Sequence, residues 1–504
     1  MNANPTDRSG PPNIIMIMSD QHNPHVMSCA GDPYVQTPNL DALAASGVLF
    51  SQAYCSNPLC VPSRMGFMTG RYPSEIECWT NQCELSSEIP TFAHGLGASG
   101  YETVLCSRMH FVGIDQFHGF EKRLFGEPIP DRLNVWKRND GVPDPRHPFV
   151  NGMSDYSVKM SGYGKQPYQY YDLKVTELAC DYIKSRPAEG RPYCLVVGYV
   201  LPHDPYIADK DLFDHYMAVL PEVGTPSKSE LAQLHPAMSK WRERHGVHLI
   251  SPLENRRARA AYYGLVTEMD RNIGLVLDAV SSSGDADNTV VIYCSDHGDM
   301  AGEKGLWWKS NFYEGSVGIP LIVSFPQKIQ RNQTVTQPIS LIDLAPTLLD
   351  IGKAEPLPQI SGLSLLPLLT GESSCHLHSE IFADCYGMLG NLPSCMLRWD
   401  SWKMVYFHET DSCQLFNLTE DPGECHDLRD NHTCQPIIQA GREKISRYWS
   451  AQDIMSKMQR KEQQMRYVRK CGHPLIPHAF PAPIEVPDEY SYFDRTQLPD
   501  HKPV

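Results

Sequence analysis

Residues 13–18 read NIIMIM, and the polar sequence SDQ follows them directly at residues 19–21. Residues 289–294 read TVVIYC and are followed by SDHGD at residues 295–299. Short apolar runs that stop abruptly at polar residues are typical of strands buried on both faces of a parallel sheet. The two runs therefore predict buried parallel strands, with carboxylates and a histidine just beyond their carboxyl ends.

Two further apolar runs continue this pattern along the chain. One covers residues 193–201 and stops at the sequence PHDP, and the other reads PLIVSF at residues 320–325. Amphipathic helical stretches alternate with these runs, for example at residues 38–47, 91–100 and 254–282. Such alternation predicts a doubly wound α/β sheet, in which ligands bind outside the carboxyl ends of the strands.

The length and the texture of the chain predict its domains. The 504 residues exceed the ~250 to 300 at which a single hydrophobic core stops growing. Beyond residue 370 the sequence breaks into short strand-like pieces and turn signals, which predict a small antiparallel sheet with one helix over residues 436–464. We therefore predict a large α/β domain at residues 1–370, a small-sheet subdomain at 371–470 and an extended C-terminal arm, rich in proline and tyrosine, at 471–504.

The composition excludes several classes of partner. A formal net charge of -15 argues against a nucleic-acid binder, which needs a broad basic face. No run approaches the ~18 apolar residues that span a bilayer, so we expect no membrane anchor. Residues 1–12 lack the charged and apolar regions of a signal peptide, which predicts a cytoplasmic protein. The sixteen cysteines, without a CxxC pair, are then expected to be reduced thiols.

One motif carries the strongest chemical signal in the chain. Residues 60–71 read CVPSRMGFMTGR, which resembles the C-x-P-S-R signature and downstream T-G-R of the formylglycine-dependent (type I) sulfatases. The resemblance implies the fold of the alkaline phosphatase superfamily, a large mixed sheet flanked by helices. It also implies that a formylglycine-generating maturation enzyme converts Cys60 into 3-oxoalanine (Cα-formylglycine). One hydroxyl of the hydrated aldehyde can attack sulfur, and the other can then lose its proton and expel sulfate.

A metal site is predicted where two of the apolar runs end. Asp20 and the pair Asp296 and His297 each follow a predicted parallel strand, so the fold can bring them to one ion. By the resemblance, Gln21 joins these three residues in the family's metal positions. Carboxylate oxygens favour a hard divalent cation, and we expect Ca²⁺, with Mg²⁺ or Mn²⁺ as alternatives. Many sulfatases carry Asp at the position of Gln21 and Asn at that of His297.

The resemblance also assigns the groups that would surround the sulfuryl group. Arg64 would orient the formylglycine, and His110 would hydrogen-bond its hydroxyl. Arg108 stands where the family usually has lysine, and its guanidinium can still bind a sulfuryl oxygen. His203 and Lys309 would contact the leaving-group side, where fixed cations stabilise charge that develops in the transition state.

The strings around these residues are similar to those of choline sulfatases and related arylsulfatases. Asn81 and Trp136 fall near positions where such enzymes build the substrate pocket, and an aromatic face could hold a trimethylammonium group. No basic stripe is present that could follow a polyanionic chain, and residues 125–169 together with the C-terminal arm are expected to roof the pocket. We therefore predict a sulfuric ester hydrolase that acts on small or aryl sulfate monoesters, choline sulfate among them, as a homo-oligomer.

Two other functions are compatible with the same residues. A phosphonate monoester or phosphodiester hydrolase of the same superfamily would use the formylglycine, the metal pair and a similar site for a tetrahedral anion. A non-catalytic homologue would keep Cys60 unmodified and serve only as an anion-binding scaffold. Sequence alone leaves the identity of the alcohol open.

Overall fold

The structure is a computed structural model of the 504-residue chain. It describes residues 10–128, 153–187, 190–222, 226–326, 328–371, 378–386, 393–470, 487–491, 493 and 495–497. Trp136, most of the segment expected to roof the pocket and most of the C-terminal arm lie outside the described residues. The described pieces of the arm contact the body, since Phe493 bridges to Gly164 and Gln497 Oε1 accepts a hydrogen bond from the Tyr163 amide at 2.9 Å.

Within the described residues, the strands form one large sheet and three small ones. In chain order the strands are β1 (Asn13–Asp20), β2 (Val48–Phe50), β3 (Ala53–Tyr54), β4 (Glu102–Ser107), β5 (Lys122–Phe125), β6 (Gly162–Tyr163), β7 (Tyr193–Pro202), β8 (Ile207–Ala208), β9 (Thr289–Ser295), β10 (Gly318–Ile319), β11 (Leu321–Ser324), β12 (Gln333–Val335), β13 (Ile339–Ser340), β14 (Glu380–Cys385), β15 (Ser394–Trp399), β16 (Trp402–Phe407) and β17 (Ser412–Asn417).

Helices connect and cover these strands. The α-helices are α1 (Pro38–Ala45), α2 (Cys60–Thr69), α3 (Phe92–Ala98), α4 (Asp155–Lys159), α5 (Pro167–Lys184), α6 (Lys210–Val219), α7 (Lys228–Gln233), α8 (Pro236–Arg244), α9 (Pro252–Ser281), α10 (Glu314–Val317), α11 (Leu344–Ile351), α12 (Leu366–Leu369), α13 (Gln435–Tyr448) and α14 (Ala451–Arg469). The longest, α9, begins at a capping box in which Ser251 and Glu254 bond each other's amides, and Pro252 suits its first turn.

The large sheet has the strand order β12-β2-β11-β9-β1-β7-β4-β5. The strands from β9 to β5 in this order are parallel, and β1 lies between β7 and β9 with every residue buried. The predicted parallel strands at residues 13–18 and 289–294 are therefore confirmed as neighbours. The apolar run at residues 320–325 forms β11, which is antiparallel to both β9 and β2 and makes the sheet mixed. Its sequence gives no sign of this direction, because continuous apolar runs suit a buried strand of either polarity.

The small four-stranded sheet has the order β14-β15-β16-β17 and is antiparallel throughout. It packs on α13 and α14 around a second hydrophobic core, which includes Trp449. The single helix predicted over residues 436–464 is wrong, since the chain breaks between α13 and α14. Trp449 leaves the helix with an extended backbone because its buried ring donates from Nε1 to Tyr386 Oη at 3.0 Å.

The described cysteines carry free thiols. They include Cys78 and Cys83, which lie only five residues apart in the loop after α2. Within the described ranges, each helix is too short or too polar to cross a lipid bilayer.

A buried ion triad joins the two parts of the molecule. Lys403 of β16 donates to Glu314 of α10 at 2.6 Å and lies 2.8 Å from Glu424, and its side chain is fully buried. Tyr54 of β3 donates a further hydrogen bond to Glu314 at 2.9 Å. Burial raises the pKa of Glu424, which shares the single lysine with Glu314. The two carboxylates thus share one ammonium group as their ion-pair partner.

Replacement of Lys403 by Met should destabilise the protein by about 3 to 5 kcal/mol, because the buried Glu424 and the largely buried Glu314 lose their common cation. Urea unfolding followed by tryptophan fluorescence measures this change. The matched control is Lys457→Met, which removes an exposed helical pair with Asp453 at 2.8 Å and should cost less than about 1 kcal/mol. Equal, small losses in both variants would contradict the role given to Lys403.

Candidate active site

Four neighbouring strands of the large sheet deliver polar side chains to one edge. Asp20 ends β1, Arg108 follows β4, His203 follows β7 and Asp296 follows β9. Because these strands are parallel and adjacent, their carboxyl ends lie side by side. Residues that are up to 276 positions apart in sequence therefore meet at one place.

A glycine in β7 lets two of these segments approach. The backbone of Arg108 passes so closely over Gly198 that an added Cβ would lie 2.1 Å from the Arg108 carbonyl oxygen. Any side chain at this position would push Arg108 away from Asp20. The close backbone approach requires glycine here.

Cys60 is the first residue of α2, a helix whose side chains are all buried. Leu59 precedes it with an extended backbone, so the thiol projects from the helix N-terminus. The Val61 amide in the first turn donates to Asn81 Oδ1 at 2.9 Å. The positive end of the helix dipole favours an anionic nucleophile at this position.

Two buried aspartates are each held by arginine through one oxygen. Asp20 Oδ2 accepts from Arg108 Nε at 2.6 Å and from Arg64 Nη2 at 3.3 Å. Asp296 Oδ2 accepts from Arg64 Nε at 2.8 Å. None of these four side chains is more than 2% exposed, so each charge depends on its partners rather than on water.

The other oxygen of each aspartate faces a group of metal-ligand type. Asp20 Oδ1 lies 3.7 Å from both Cys60 Sγ and His297 Nε2, and Asp296 Oδ1 lies 3.6 Å from the same nitrogen. The candidate ligand atoms of Asp20, Cys60, Asp296 and His297 all lie within 4.8 Å of one another. Two carboxylates and an imidazole suit a divalent cation.

The imidazole of His297 has the orientation that a ligand needs. Its Nδ1 lies 2.9 Å from the Gly298 carbonyl oxygen, to which it can only donate. The neutral ring therefore carries its proton on Nδ1 and presents an unprotonated Nε2 to the centre of the site. The donor set thus fits a metal ion by its chemistry as well as by its spacing.

Gln21 was expected to be a metal ligand, and in the structure its side chain bonds Lys309 and Asp299. Its Oε1 accepts from Lys309 Nζ at 2.7 Å, and its Nε2 donates to Asp299 Oδ2 at 2.6 Å. In this arrangement Gln21 fixes the ammonium group of Lys309. That ammonium lies 3.1 Å from Cys60 Sγ, with only 4% of the lysine exposed.

The surroundings of Cys60 stabilise negative charge on its sulfur. Burial acts to raise the pKa of the thiol, but the charge of Lys309 and hydrogen bonds with His110 and His203 lower it well below the usual value. The position of the sulfur is therefore one where an anionic nucleophile is favoured.

The carboxylate of Asp20 is likewise kept ionised. Burial acts to raise its pKa, yet the adjacent guanidinium of Arg108 holds the pKa well below its usual range. An ionised oxygen remains directed at the centre of the site.

His110 stands in a left-handed turn after β4, with φ 63°. The Arg108 guanidinium lies 3.2 Å from His110 Nδ1, which must accept the bond. The neutral ring then carries its proton on Nε2. Glu127 Oε1 fixes the turn by accepting from the His110 amide at 2.7 Å and from the Met109 amide at 3.0 Å.

His203 completes the group of cations around Cys60. Its Nδ1 lies 2.6 Å from the Asp204 carbonyl oxygen and 3.3 Å from Asp204 Oδ1. Burial and Lys309 act to lower the pKa of His203, but Asp204 and Asp20 raise it above the ordinary value. With its side chain 19% exposed, His203 is more open to solvent than Lys309.

The structure brings most of the predicted site residues together. Those that meet around Cys60 are Asp20, Gln21, Arg64, Asn81, Arg108, His110, His203, Asp296, His297 and Lys309. Asn81 approaches Cys60 Sγ with Nδ2 at 4.0 Å, besides its bond to α2. Trp136 lies outside the described residues.

Sequence reasoning missed three residues that fix the site. Asp204 and Asp299 stand inside the strings PHDP and SDHGD, next to residues that were chosen, so their position at strand ends was a usable signal. Glu127 follows no predicted strand end and has no motif, and its contacts with the amides of Met109 and His110 become visible only in three dimensions.

The chain matches two family models of sulfatases and is similar to named sulfatases over most of its length. The Sulfatase family matches residues 12–354, and N-sulphoglucosamine sulphohydrolase, C-terminal, matches residues 302–451. Choline-sulfatase of Rhizobium meliloti (strain 1021) is 33% identical over 488 residues, which cover 91% of this chain and 91% of that protein. Arylsulfatase K of Danio rerio is 28% identical over 459 residues, covering 84% and 82% of the two chains.

A solved structure shares the fold. Phosphonate monoester hydrolase of Agrobacterium radiobacter aligns with a TM-score of 0.72 at 21% identity, over 86% of this chain and 94% of that one. The family resemblance of residues 60–71 and the predicted fold, a large mixed sheet with a small antiparallel sheet, are thereby confirmed.

Replacement of Asp296 by Asn should weaken divalent-metal binding at least about tenfold, the scale seen even for residues that only support a ligand. Calorimetric titration of the metal-stripped protein with Ca²⁺, Mg²⁺ and Mn²⁺ measures the affinity. The control is Asp270→Asn, another fully buried aspartate, which caps α1 by accepting from the Leu40 amide at 2.9 Å. Unchanged metal affinity in Asp296→Asn would contradict the assignment.

Proposed function

The chain belongs to the sulfatase family, and we propose that its active centre cleaves small or aryl sulfate monoesters with a formylglycine made from Cys60, beside one divalent metal ion. Family membership makes the protein a sulfuric ester hydrolase. The observation that carries the proposal is the approach of Cys60 to Asp20, Asp296 and His297, within 4.8 Å. A reactive residue, carboxylates and an imidazole in one buried place suit metal-assisted hydrolysis.

A metal ion and the formylglycine would each supply defined chemistry at this site. A metal ion held by Asp20, Asp296 and His297, with Gln21 beside them, would polarise a sulfuryl oxygen, and Ca²⁺ suits the carboxylate oxygens. The hydrated formylglycine would provide one hydroxyl for attack on sulfur and a second whose deprotonation releases sulfate. The sulfur of Cys60 marks where the formylglycine oxygens would stand.

The chain's own cations would bind the sulfuryl group. Arg64, Arg108 and Lys309 carry three positive charges, while Asp20 and Asp296 carry two negative ones, so this buried cluster has a net positive charge. A sulfate monoester is a monoanion, and its charge complements the cluster. Fixed cations stabilise the charge that moves onto the oxygens during sulfuryl transfer without having to reorient.

The histidines would hold and move protons. His110 has its proton on Nε2, as its contact with Arg108 requires, and can donate it to an oxygen at the position of Cys60 Sγ. His203 has a raised pKa and lies on the more exposed side of the nucleophile. It is therefore suited to donate a proton to the departing alcohol, while Lys309 neutralises charge nearby.

The substrate class is proposed from access to the nucleophile. Cys60, Arg108 and Lys309 are at most 4% exposed, so a sulfate group must enter a closed recess. A small ester, or an aryl ester whose ring stays near the mouth, meets this requirement. Relatives named choline-sulfatase and arylsulfatase K give the same indication. The cytoplasmic location and the homo-oligomeric state stay predictions.

One second function is favoured by a specific observation. The fold is shared with a phosphonate monoester hydrolase, and the cation cluster would also bind a tetrahedral phosphonate or phosphodiester anion. The two activities differ in which ester gives the higher kcat/KM.

Replacement of Cys60 by Ala should lower turnover of 4-nitrophenyl sulfate at least about a thousandfold, because the nucleophile is lost. Cys60→Ser should be similarly impaired, since the maturation enzyme is expected to recognise the thiol. Cys194→Ala, a buried cysteine in β7, should stay near wild type in activity. Steady-state kinetics with circular dichroism as a folding check decides the matter. Activity near wild type in Cys60→Ala would refute the mechanism.

Sulfate monoesters should be hydrolysed with higher kcat/KM than phosphorus esters or polymers. The panel consists of 4-nitrophenyl sulfate, choline sulfate, a phenylphosphonate monoester and a heparin fragment, each assayed with the same matured preparation. A higher kcat/KM for the phosphonate would establish the second function instead. Efficient desulfation of heparin, with poor turnover of both small sulfates, would show the proposed substrate class to be wrong.

A further inference from the structure

A loop beside the proposed nucleophile contains two cysteines. We call residues 78–83 the thiol loop, with Cys78 at its start and Cys83 at its end. Cys78 is fully buried and Cys83 is partly exposed. From α14, Lys461 Nζ donates to the carbonyl oxygens of Glu77 at 2.6 Å and Glu84 at 3.4 Å. These two residues flank the thiol loop, so a single ammonium group fixes both of its ends.

The two cysteines of the thiol loop already lie in contact. The Cys78 thiol donates to the Cys83 carbonyl oxygen at 3.8 Å, and the two side chains lie close enough for each to shift the pKa of the other. The Cys83 amide donates to the Thr80 carbonyl oxygen at 3.0 Å, which closes a tight turn between the cysteines. The folded chain already holds this loop closed, so forming the disulfide would cost little further conformational entropy.

Cys83 has the properties of an attacking thiol. The hydrogen bond from Cys78 lowers its pKa, burial opposes this, and Lys461 and Thr80 lower it further, to about 5. Thr80 Oγ1 lies 3.4 Å from the sulfur. The lowered pKa favours the thiolate of Cys83, which is also the more accessible of the two thiols, and both properties favour thiol–disulfide exchange.

The middle of the thiol loop reaches the proposed nucleophile. Asn81 lies between the two cysteines. Its Oδ1 accepts a hydrogen bond from the Val61 amide of α2 at 2.9 Å, and its Nδ2 lies 4.0 Å from Cys60 Sγ. A change in the path of the thiol loop therefore alters the hydrogen bond at the first turn of α2. It also alters the polar contact of residue 60.

We propose that Cys78 and Cys83 form a reversible disulfide site, oxidised by low-molecular-weight disulfides, and that its closure draws Asn81 away from α2. The Cys83 thiolate attacks one sulfur of the oxidant, forms a mixed disulfide and releases one thiolate. Cys78 then attacks the Cys83 sulfur, and its proton passes to the second released thiolate. In sum, two protein thiols and one disulfide RSSR give one protein disulfide and two RSH. The link to turnover, unlike disulfide formation, rests on the proposed function.

Closure should change activity by a limited factor. The sulfurs must approach to a bond length of ~2.05 Å, which should shorten the thiol loop and disturb the contact between Thr80 and Cys83. Loss of the Asn81 hydrogen bond should then lower kcat between about twofold and tenfold. Metal content should be unchanged, because Asn81 contacts none of the aspartates among the described hydrogen bonds.

The test uses the full chain incubated with oxidised glutathione, followed by alkylation and mass spectrometry of the peptide that contains both cysteines. We expect that peptide to lose two hydrogens and to resist alkylation at both sulfurs. Mapping is repeated in Cys60→Ala, where disulfide formation is expected to persist, so this readout does not depend on catalysis. A glutathione adduct on Cys83 without ring closure would overturn the proposal.

Kinetics on the matured wild-type protein test the coupling to the nucleophile. We expect kcat to fall in step with disulfide formation and to recover with dithiothreitol. Cys83→Ser should resist inhibition, whereas Cys425→Ser, which removes an exposed thiol elsewhere, should respond like wild type. Complete disulfide formation with unchanged kcat would overturn the coupling. The wild-type time course decides this even if Cys83→Ser does not fold.

Discussion

Charge removed from water is the constraint on which the rest of the structure depends. Asp20, Arg64, Arg108, Asp296 and Lys309 lie together with almost no exposure. Isolated charges in such a place would cost several kcal/mol each, so every one must meet a partner of opposite sign with good geometry. The parallel strands, the helix α2 and the tight approach at Gly198 all serve to bring these partners within hydrogen-bonding distance.

The need to pair buried charges also explains which features the sequence predicts. Strands follow from local sequence, whereas the partners of the buried polar groups are distant along the chain. The runs at residues 13–18 and 289–294 predicted two central strands and their terminal carboxylates, because a continuous apolar run that ends at polar residues is a local property of the sequence. The roles of Gln21 and Glu127 depend on partners that are distant in sequence. Gln21 was expected near a metal, whereas its oxygen accepts from Lys309. No local sequence pattern predicts a hydrogen bond between residues 21 and 309.

The small sheet is tied to the large one by two kinds of contact. Lys403 supplies the cation for Glu314 and Glu424, and Lys461 of α14 holds the loop that carries Asn81. Trp79 of that loop is buried in the second core, with the Lys461 ammonium over its ring. The predicted helix at residues 436–464 failed here because burial of Trp449 outweighed helical continuity. Packing of the C-terminal elements thus reaches a residue next to Cys60.

The central claim is that residue 60 acts as a formylglycine. The most direct measurement is mass spectrometry of the tryptic peptide covering residues 9–64, taken from protein of known specific activity and treated with an aldehyde-specific hydrazine reagent. The account predicts that residue 60 has lost its sulfur, reacts as an aldehyde and occurs in proportion to activity across preparations. A fully active preparation in which this peptide carries an unmodified, alkylatable Cys60 would contradict it.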